Sequence, residues 1–299
     1  MDAVKIKGYI CALISAVTYG LIPLFILPLK AIHFSMDVTL FYRFFISAGI
    51  MLILLKYKKE HLRLGLKEVG IFLVLGVLFS LSSDLLFLAY DRLSAGIAST
   101  ILFVFPVIVA IMMAVFFRER ISMIMVVSMG ITLAGVYVLS GASTSSINFN
   151  GLALALGSAL AYALYIVTVN KSNIKASGVK TTFYSLLFSA LYYLIKSLVG
   201  KESLVIPDLS MLFHITLFGL ITSVVSITTL VYAIGYIGST PTAILGALEP
   251  VVAVIISVVL FGEKLTFALL LGMLLIVGGV LVSIIFSKSK TATEKVSPM

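Results

Sequence analysis

Three ionisable residues stand inside long apolar segments of this 299-residue chain: Arg43, Asp84 and Glu249. A charged side chain in a low-dielectric interior is costly, so each of them is a candidate for contact with a substrate or an ion. Arg43 and Asp84 each lie about six residues from corresponding ends of consecutive segments, which is roughly 9 Å at the helical rise per residue. They could therefore pair, either as a structural ion pair or as a gate or substrate contact.

Glu249 lies deeper than the other two. It is about eight residues into its segment, roughly 12 Å from the end and near the middle of a ~30 Å hydrocarbon core. No second Arg or Lys is expected at that depth. The carboxyl group could stay protonated, bind a cationic group or exchange a proton with a substrate. The alternative is a neutral glutamic acid that is hydrogen-bonded between helices.

Two prolines, Pro106 and Pro250, interrupt apolar segments. Proline has no N–H, so it frees the helical carbonyl four residues earlier, which belongs to Leu102 and Gly246 respectively. Irregular backbone at membrane depth is tolerated where it lines a cavity. These four residues are therefore candidates for a substrate-binding site, with a purely structural kink as the alternative.

The elements that must position these residues are transmembrane helices. The chain is 61% hydrophobic and 11% charged, with a mean hydropathy of +1.22, whereas a soluble domain has about 25% charged residues. This composition excludes a soluble globular domain and a disordered chain, and the single cysteine, Cys11, excludes a disulfide-rich one. The net charge of +9 comes from short basic clusters between apolar runs, which fits contact with anionic lipid and not with nucleic acid. We predict an all-α integral membrane protein.

Ten transmembrane helices are predicted, because apolar runs of about 20 residues recur along the whole chain. Their approximate bounds are 6–28, 37–55, 69–90, 95–117, 122–140, 150–169, 181–199, 211–236, 241–261 and 265–286. With a cytoplasmic N-terminus, 15 Lys and Arg residues fall in inner segments and 5 in outer ones, as the positive-inside rule requires. We expect a multi-pass protein of the cell (inner) membrane with both termini cytoplasmic and a polar, disordered tail at 287–299.

The two halves of the chain contain related sequences. At an offset of 144, the segment 99–110 superposes on 243–254 and aligns Pro106 with Pro250. Residues 1–146 and 147–286 therefore form two predicted five-helix repeats. Because five is odd, the repeats enter the membrane from opposite sides and are inverted. Such repeats place a binding site at mid-membrane and let it open alternately to either side; a duplicated scaffold without transport is the alternative.

A second pair of related segments lies near the start of each half. At an offset of 143, the Ser-x-x-x-Tyr sequence that ends at Tyr19 superposes on the one that ends at Tyr162. The two tyrosines are repeat mates, and their hydroxyls and rings could contact a substrate. Core packing is the alternative role for both.

These motifs resemble those of the EamA-type transporters of the drug/metabolite transporter superfamily. Ten residues after Pro250-Val251 comes the sequence Gly-Glu-Lys-Leu-Thr at 262–266, and a variant copy of the whole pattern runs from 99 to 122. The resemblance implies a ten-helix inverted-repeat bundle that moves small organic metabolites, often outward, as family members that export amino acids and related compounds do. The first-half copy has Phe105 where the second half has Glu249, so a role for Glu249 lacks support from its repeat mate.

We therefore predict a secondary transporter, and specifically an exporter of small organic metabolites such as amino acids or related compounds. The predicted substrate-binding residues are Tyr19, Arg43, Asp84, Leu102, Pro106, Tyr162, Gly246, Glu249 and Pro250. No catalytic, cofactor or metal site is predicted, since the sequence has no His-Glu-x-x-His motif and no Gly-rich phosphate loop. The alternatives are a membrane-embedded enzyme acting on lipid-like substrates and a sensor or scaffold.

The expected partners are a small-molecule substrate and the lipid bilayer. Ala153, Gly157 and Ala161 form a stripe of small residues at helical spacing. Such a stripe suits close helix packing, either within the chain or between protomers of an oligomer.

Overall fold

The computed structural model describes residues 3–117, 123–140, 148–172, 176–237, 245–246 and 248–294. Every regular element within these ranges is a helix, as the all-α prediction requires. The variant repeat motif at 118–122, the boundary expected between the two repeats and the junction expected before the ninth span lie outside the described residues.

The helices are numbered in chain order. They are α1 (Ala3–Gly20), α2 (Ile22–Ala31), α3 (Met36–Tyr57), α4 (Leu66–Ala89), α5 (Ala95–Leu102), α6 (Phe105–Phe117), α7 (Met123–Ser140), α8 (Phe149–Lys171), α9 (Gly178–Val199), α10 (Leu209–Gly219), a π-helical segment (Leu220–Val225), α11 (Ser226–Ile237), α12 (Leu248–Phe261) and α13 (Phe267–Glu294).

Seven helical segments are long and apolar enough to cross a membrane. They comprise α1 with α2, α3, α4, α5 with α6, α8, α9, and α10 with the π-helical segment and the start of α11. Shorter apolar helices cover 126–138, 248–261 and 267–279. The structure therefore confirms a helical protein with several segments that are long and apolar enough to span a membrane, while the number ten stays a prediction.

Polar side chains fix where several of these helices begin. Ser35, Ser94, Asn148, Ser177 and Asp208 each precede a helix and accept a hydrogen bond from a backbone N–H in its first turn. A helix leaves its first N–H groups without intrahelical partners, so these side chains satisfy donors that would otherwise be unpaired. The sequence thus sets the helix starts locally, between apolar runs.

Contacts between connecting segments define two faces of the bundle. On the face where α1 begins, the N-terminal face, Glu60 accepts a hydrogen bond from Ser177 at 2.5 Å, and Lys180 Nζ donates to the Arg63 carbonyl at 2.9 Å. On the opposite face, the distal face, Lys30 pairs with Asp91 at 2.6 Å. Consecutive described connections therefore alternate between faces, as antiparallel helices require.

Two membrane-depth helices are broken next to proline. The helical backbone stops at Leu21, directly before the turn that contains Pro23, and again at Phe103–Val104, directly before Pro106. Pro106 is consequently the second residue of α6 and not a mid-helix residue, and Pro250 is the third residue of α12. The first turn of a helix tolerates proline because its N–H would have no helical partner there.

Glycines allow α7 and α13 to pack closely in antiparallel orientation. A Cβ atom built on Gly135 would lie 2.9 Å from the Gly272 carbonyl oxygen, and one built on Gly279 would lie 2.8 Å from the Ser128 carbonyl oxygen. Gly279 therefore packs within the chain. The helical backbone of α13 continues to Glu294, and the disordered tail at 287–299 stays a prediction. No glycine or proline interrupts residues 280–294, so nothing local ends the helix.

Candidate functional site

A cavity lies at membrane depth between α1, α2, α4, α5 and α12. Its lining residues are Tyr19, Gly20, Ile22, Pro23, Leu86, Tyr90, Ser99, Leu102, Glu249 and Ala253. Its volume is only about 10 Å³, whereas pockets that hold small organic ligands usually measure about 300–1,000 Å³. The cavity must therefore widen before it can hold a metabolite of that size.

The breaks in the helices build this cavity. α1 ends at Gly20, where a Cβ atom would lie 2.7 Å from the Glu249 carbonyl oxygen, so glycine lets α1 approach α12. On the other side, none of the hydrogen bonds of the turn at 103–108 uses the Leu102 carbonyl. Leu102 itself lines the cavity. Irregular backbone and close helix approach thus occur together at one site.

Glu249 is the acidic residue among those that line the cavity. Its side chain is half-buried, and within the described part of the chain no hydrogen bond or salt bridge holds its carboxyl group. The hydroxyls of Tyr19 and Tyr90 lie within electrostatic range of it. The carboxyl group is therefore free to receive a cationic group or a proton from a molecule in the cavity.

Arg43 is the largest fully buried side chain of α3, at 1% exposure. Its Nε atom donates to Ser223 Oγ at 3.0 Å, and the guanidinium group lies 4.3 Å from the centre of the Phe218 ring. Its Nη2 atom has no hydrogen-bond partner among the described residues. The guanidinium group is in electrostatic range of the hydroxyls of Tyr19 and Tyr90, which line the cavity.

The elements around Arg43 are unusual. A Cβ atom on Gly219 would lie 2.9 Å from the Arg43 carbonyl oxygen, so glycine is needed where α10 crosses α3. The π-helical segment begins at the next residue and carries Ser223, the acceptor for Arg43. Single π-helical turns inside α-helices often occur at functional sites.

The predicted pairing of Arg43 with Asp84 is wrong. Asp84 Oδ2 instead binds Lys196 Nζ at 3.0 Å and accepts a hydrogen bond from the Tyr192 hydroxyl at 3.0 Å. Lys196 Nζ also contacts Asp37 Oδ1 at 2.8 Å. Equal depth on neighbouring helices was necessary for the predicted pair, but the rotation of each helix decides which side chains meet. Asp84 thus belongs to an ion network near the distal face and not to the cavity lining.

The tyrosine mates occupy different surroundings. Tyr19 lines the cavity, whereas Tyr162 packs edge-to-face on Phe105, with ring centres 4.7 Å apart. Tyr162 is still in electrostatic range of Tyr19 and Glu249. It lies beside the site, in an aromatic cluster.

The remaining candidates lie near the cavity without lining it. Pro250 is buried in the first turn of α12, and Pro106 is half-buried in the first turn of α6. Gly246 is half-buried, and a Cβ atom built on it would lie 4.0 Å from Phe103 Cε2. Their effect on the site is exerted through the backbone.

Sequence reasoning missed Tyr90 and Ser99, which both line the cavity and share a hydrogen bond of 3.0 Å. Tyr90 lies near a predicted span end, where a tyrosine is typical of the membrane interface. Ser99 could have been identified from its position, because it begins the segment that repeats at 243–254.

The serines of the Ser-x-x-x-Tyr motifs join opposite halves of the chain. Ser226 Oγ donates to the Ser15 carbonyl at 3.1 Å, and Ser82 Oγ donates to the Ser158 carbonyl at 3.1 Å. The offset of 144 relates Ser82 to Ser226, and the offset of 143 relates Ser15 to Ser158. The two serine contacts therefore correspond to each other under the predicted repeat, and we call them the serine clasps.

Comparison with known proteins identifies similar chains. The model of the EamA-like transporter family matches residues 6–141 and again 149–285. The uncharacterized transporter YvbV of Bacillus subtilis (strain 168) is 28% identical over 251 residues, which cover 81% of this chain and 80% of the relative. The threonine/homoserine exporter RhtA of Escherichia coli (strain K12) is 26% identical over 232 residues, which cover 74% of this chain and 73% of the relative.

A solved crystal structure has the same fold. It superposes with a TM-score of 0.69 at 18% sequence identity, and the match covers 94% of this chain and 98% of the other.

Proposed function

This chain belongs to the EamA-like transporter family, and from that premise we propose that it is a secondary transporter that exports small organic metabolites. The site is the cavity around Tyr19, Tyr90 and Glu249, which would open alternately to the two sides of the membrane. The observation that carries the proposal is a carboxyl group without a protein partner in the described structure, at the wall of a cavity at membrane depth. Such a group is costly to keep there unless it acts on a ligand or a proton.

Alternating access rests on the proposed inverted repeat of residues 1–146 and 147–286. The double match of the family model supports it. Helix packing supports it as well: α1 packs along α11 and α12, while its repeat mate α8 packs along α4 and α6. The serine clasps, which follow the same offsets, join α1 to α11 and α8 to α4.

We propose ten spans in the cell (inner) membrane, with both termini in the cytoplasm. The N-terminal face would then be cytoplasmic, and the 15-to-5 distribution of Lys and Arg supports this orientation. Cysteine introduced by Ser203→Cys should react with an impermeant maleimide added outside cells, and cysteine introduced by Ser172→Cys should not. The reverse labelling pattern would overturn the orientation.

The charges near the cavity fit a zwitterionic substrate, such as an amino acid or a related compound. Glu249 presents a carboxyl group and Arg43 presents a free Nη2 atom, and both are in electrostatic range of Tyr19. An ammonium group would be bound by the acid, and a carboxylate would be bound by the guanidinium group. The relative RhtA is named as an exporter of threonine and homoserine, which are amino acids.

A transporter also fits better than a membrane-embedded enzyme. An enzyme acting on lipid-like substrates would need acids or histidines gathered at one face. Among the described residues near the distal face, Asp37 and Asp84 are both paired with Lys196, which engages both carboxylates in one ion network.

Flux through proteoliposomes tests the proposal. Purified protein should move radiolabelled amino acids, and Glu249→Gln should lower that flux while the matched control Glu60→Gln, at the N-terminal face, should not. Failure to move any member of a broad metabolite panel would overturn the transporter. Flux restricted to uncharged solutes would overturn the zwitterionic substrate alone.

A further inference from the structure

The Gly-Glu-Lys-Leu-Thr sequence at 262–266 has a structural role that the cavity does not explain. Gly262 ends α12 with φ of 66°, a left-handed conformation that glycine adopts without strain. Glu263 N–H then bonds back to the Ser257 carbonyl at 3.1 Å, and Thr266 Oγ1 accepts a hydrogen bond from Leu269 N–H at 3.1 Å. The glycine and the threonine thus shape the turn between α12 and α13, and the glutamate is directed out of it.

The Glu263 side chain reaches across to the other half of the chain. Its Oε1 accepts a hydrogen bond from Ala95 N–H at 2.7 Å, and its Oε2 accepts one from Gly96 N–H at 3.4 Å. These are the first two residues of α5, which lies in the first repeat. A carboxylate at a helix N-terminus satisfies free N–H groups and interacts favourably with the helix dipole.

The contact between Glu263 and the N-terminus of α5 is closely packed. A Cβ atom built on Gly96 would lie 3.0 Å from Glu263 Oε2 and 3.4 Å from Val254 Cγ2. The glycine therefore lets α5 and α12 meet at the distal face. Ser94 supplies a further cap by accepting from Ile97 N–H at 3.4 Å.

α5 connects this contact to the cavity. It has eight residues, and it is separated from α6 by the break at Phe103–Val104. Its N-terminus is held by Glu263, while Ser99 and Leu102 near its other end line the cavity. A short rigid helix with a break at one end and a releasable contact at the other can swing as a unit.

We propose that the contact of Glu263 with the N-terminus of α5 is a gate latch at the distal face, which must break for the cavity to open to that face. The inference rests on the proposed alternating-access function. The structure has the latch closed, in agreement with the small cavity volume. Opening would move α5 away from α12 and widen the cavity on the side of Ala253.

Labelling of a single cysteine tests the latch independently of transport. Ala253→Cys, placed in a Cys11→Ser background, puts a thiol at the cavity wall behind the latch. Full-length protein in nanodiscs is treated with a polar maleimide, and the reaction rate is followed by mass spectrometry. Glu263→Gln removes the charge from the latch, so we expect labelling to be faster by about tenfold, the change expected for weakening one charge-assisted hydrogen-bond pair.

Asp208→Asn is the matched control. Asp208 also caps a helix N-terminus with a carboxylate, accepting from Met211 N–H at 2.7 Å, but it caps α10 within its own half. We expect it to leave the labelling rate unchanged. A second variant, Glu263→Asp, keeps the charge but shortens the side chain by one methylene, and it should give an intermediate rate even if the Gln variant folds poorly.

An unchanged rate in both Glu263 variants would overturn the latch, and so would an equal increase in Asp208→Asn, because that result would indicate general loosening. These outcomes leave the flux result of the parent protein untouched. Conversely, a parent protein without flux that labels faster after Glu263→Gln would keep the latch and reject the transporter.

Discussion

Under the proposed repeat, two pairs of residues occupy corresponding positions, and we call each pair, which takes one residue from each half of the chain, a half-site. In the first half-site, Tyr19 lies near Glu249, and both line the cavity. In the second half-site, the repeat mates Tyr162 and Phe105 pack ring against ring at 4.7 Å. The helices that carry these pairs are arranged alike, but only one pair is polar. Under the proposed repeat, the helix packing is therefore alike in the two half-sites, whereas the acid occurs in one of them.

The cost of burying charge explains this difference. One acid can be accommodated by a cavity and by nearby tyrosine hydroxyls. A second acid at the position of Phe105 would meet the packed ring of Tyr162 in place of a cavity. We therefore expect the pair Tyr19–Glu249 to contact substrate and the pair Tyr162–Phe105 to act in packing.

Removing the acid of the first half-site should produce the largest effect on transport. Glu249→Gln keeps the shape of the side chain but can neither carry a negative charge nor release a proton. We expect transport to fall on the order of tenfold to a hundredfold, the loss for a charged hydrogen bond, and to depend less on pH. Flux measured between acidic and alkaline buffers tests this, and a wild-type rate with a wild-type pH profile would make the acid a packing residue.

The second largest effect is expected where α1 approaches α12, because the first half-site has glycine at this position and the second has alanine. Gly20→Ala places a methyl group 2.7 Å from the Glu249 carbonyl oxygen, so we expect a loss of about 1–3 kcal/mol in the free energy of unfolding. The mate position, Ala163, already holds a fully buried methyl group. Ala163→Gly should cost no more than about 1 kcal/mol. Thermal unfolding in detergent compares the two, and equal losses would show that the half-sites are packed alike.

Removing a tyrosine hydroxyl should lower transport by a smaller amount, and the loss should differ between Tyr19 and Tyr162. Tyr19→Phe removes a hydroxyl from the cavity wall, within electrostatic range of Glu249 and Arg43. We expect transport to fall on the order of fivefold, as for one neutral hydrogen bond. Tyr162→Phe retains the ring contact with Phe105 and should change the flux little. Comparable losses in the two variants would mean that substrate contacts both half-sites.

The serine clasps should give the smallest effect and the same one in each half. Ser82 and Ser226 each donate to a carbonyl of the opposite half at 3.1 Å. Ser82→Ala and Ser226→Ala should each cost about 0.5–1.5 kcal/mol of unfolding free energy. Thermal unfolding of the two variants should shift by similar amounts. A marked difference between the two shifts would show that the two hydrogen bonds contribute unequally to stability although their geometry is alike.

Some properties of this protein are determined by the sequence alone. Apolar runs long enough to span a bilayer require helices, because a helix satisfies its backbone polar groups within the segment. Pro23 and Pro106 locate both breaks beside the cavity, because proline cannot donate a helical hydrogen bond. The offsets of 143 and 144 relate Ser15 to Ser158 and Ser82 to Ser226 before any contact is known. The isolated acid Glu249 is recognisable from hydropathy alone.

Only the tertiary structure decided which of these residues meet. Hydropathy gives the depth of a residue, but neither the direction in which its helix turns it nor the neighbour that it faces. Asp84 and Arg43 share a depth, yet Asp84 meets Lys196 and Arg43 meets Ser223. Tyr19 and Tyr162 share a motif, yet one lines the cavity and the other packs on Phe105. Each residue along a helix rotates the side chain by about 100°, so partners are chosen by the packing of distant helices, which no local pattern encodes.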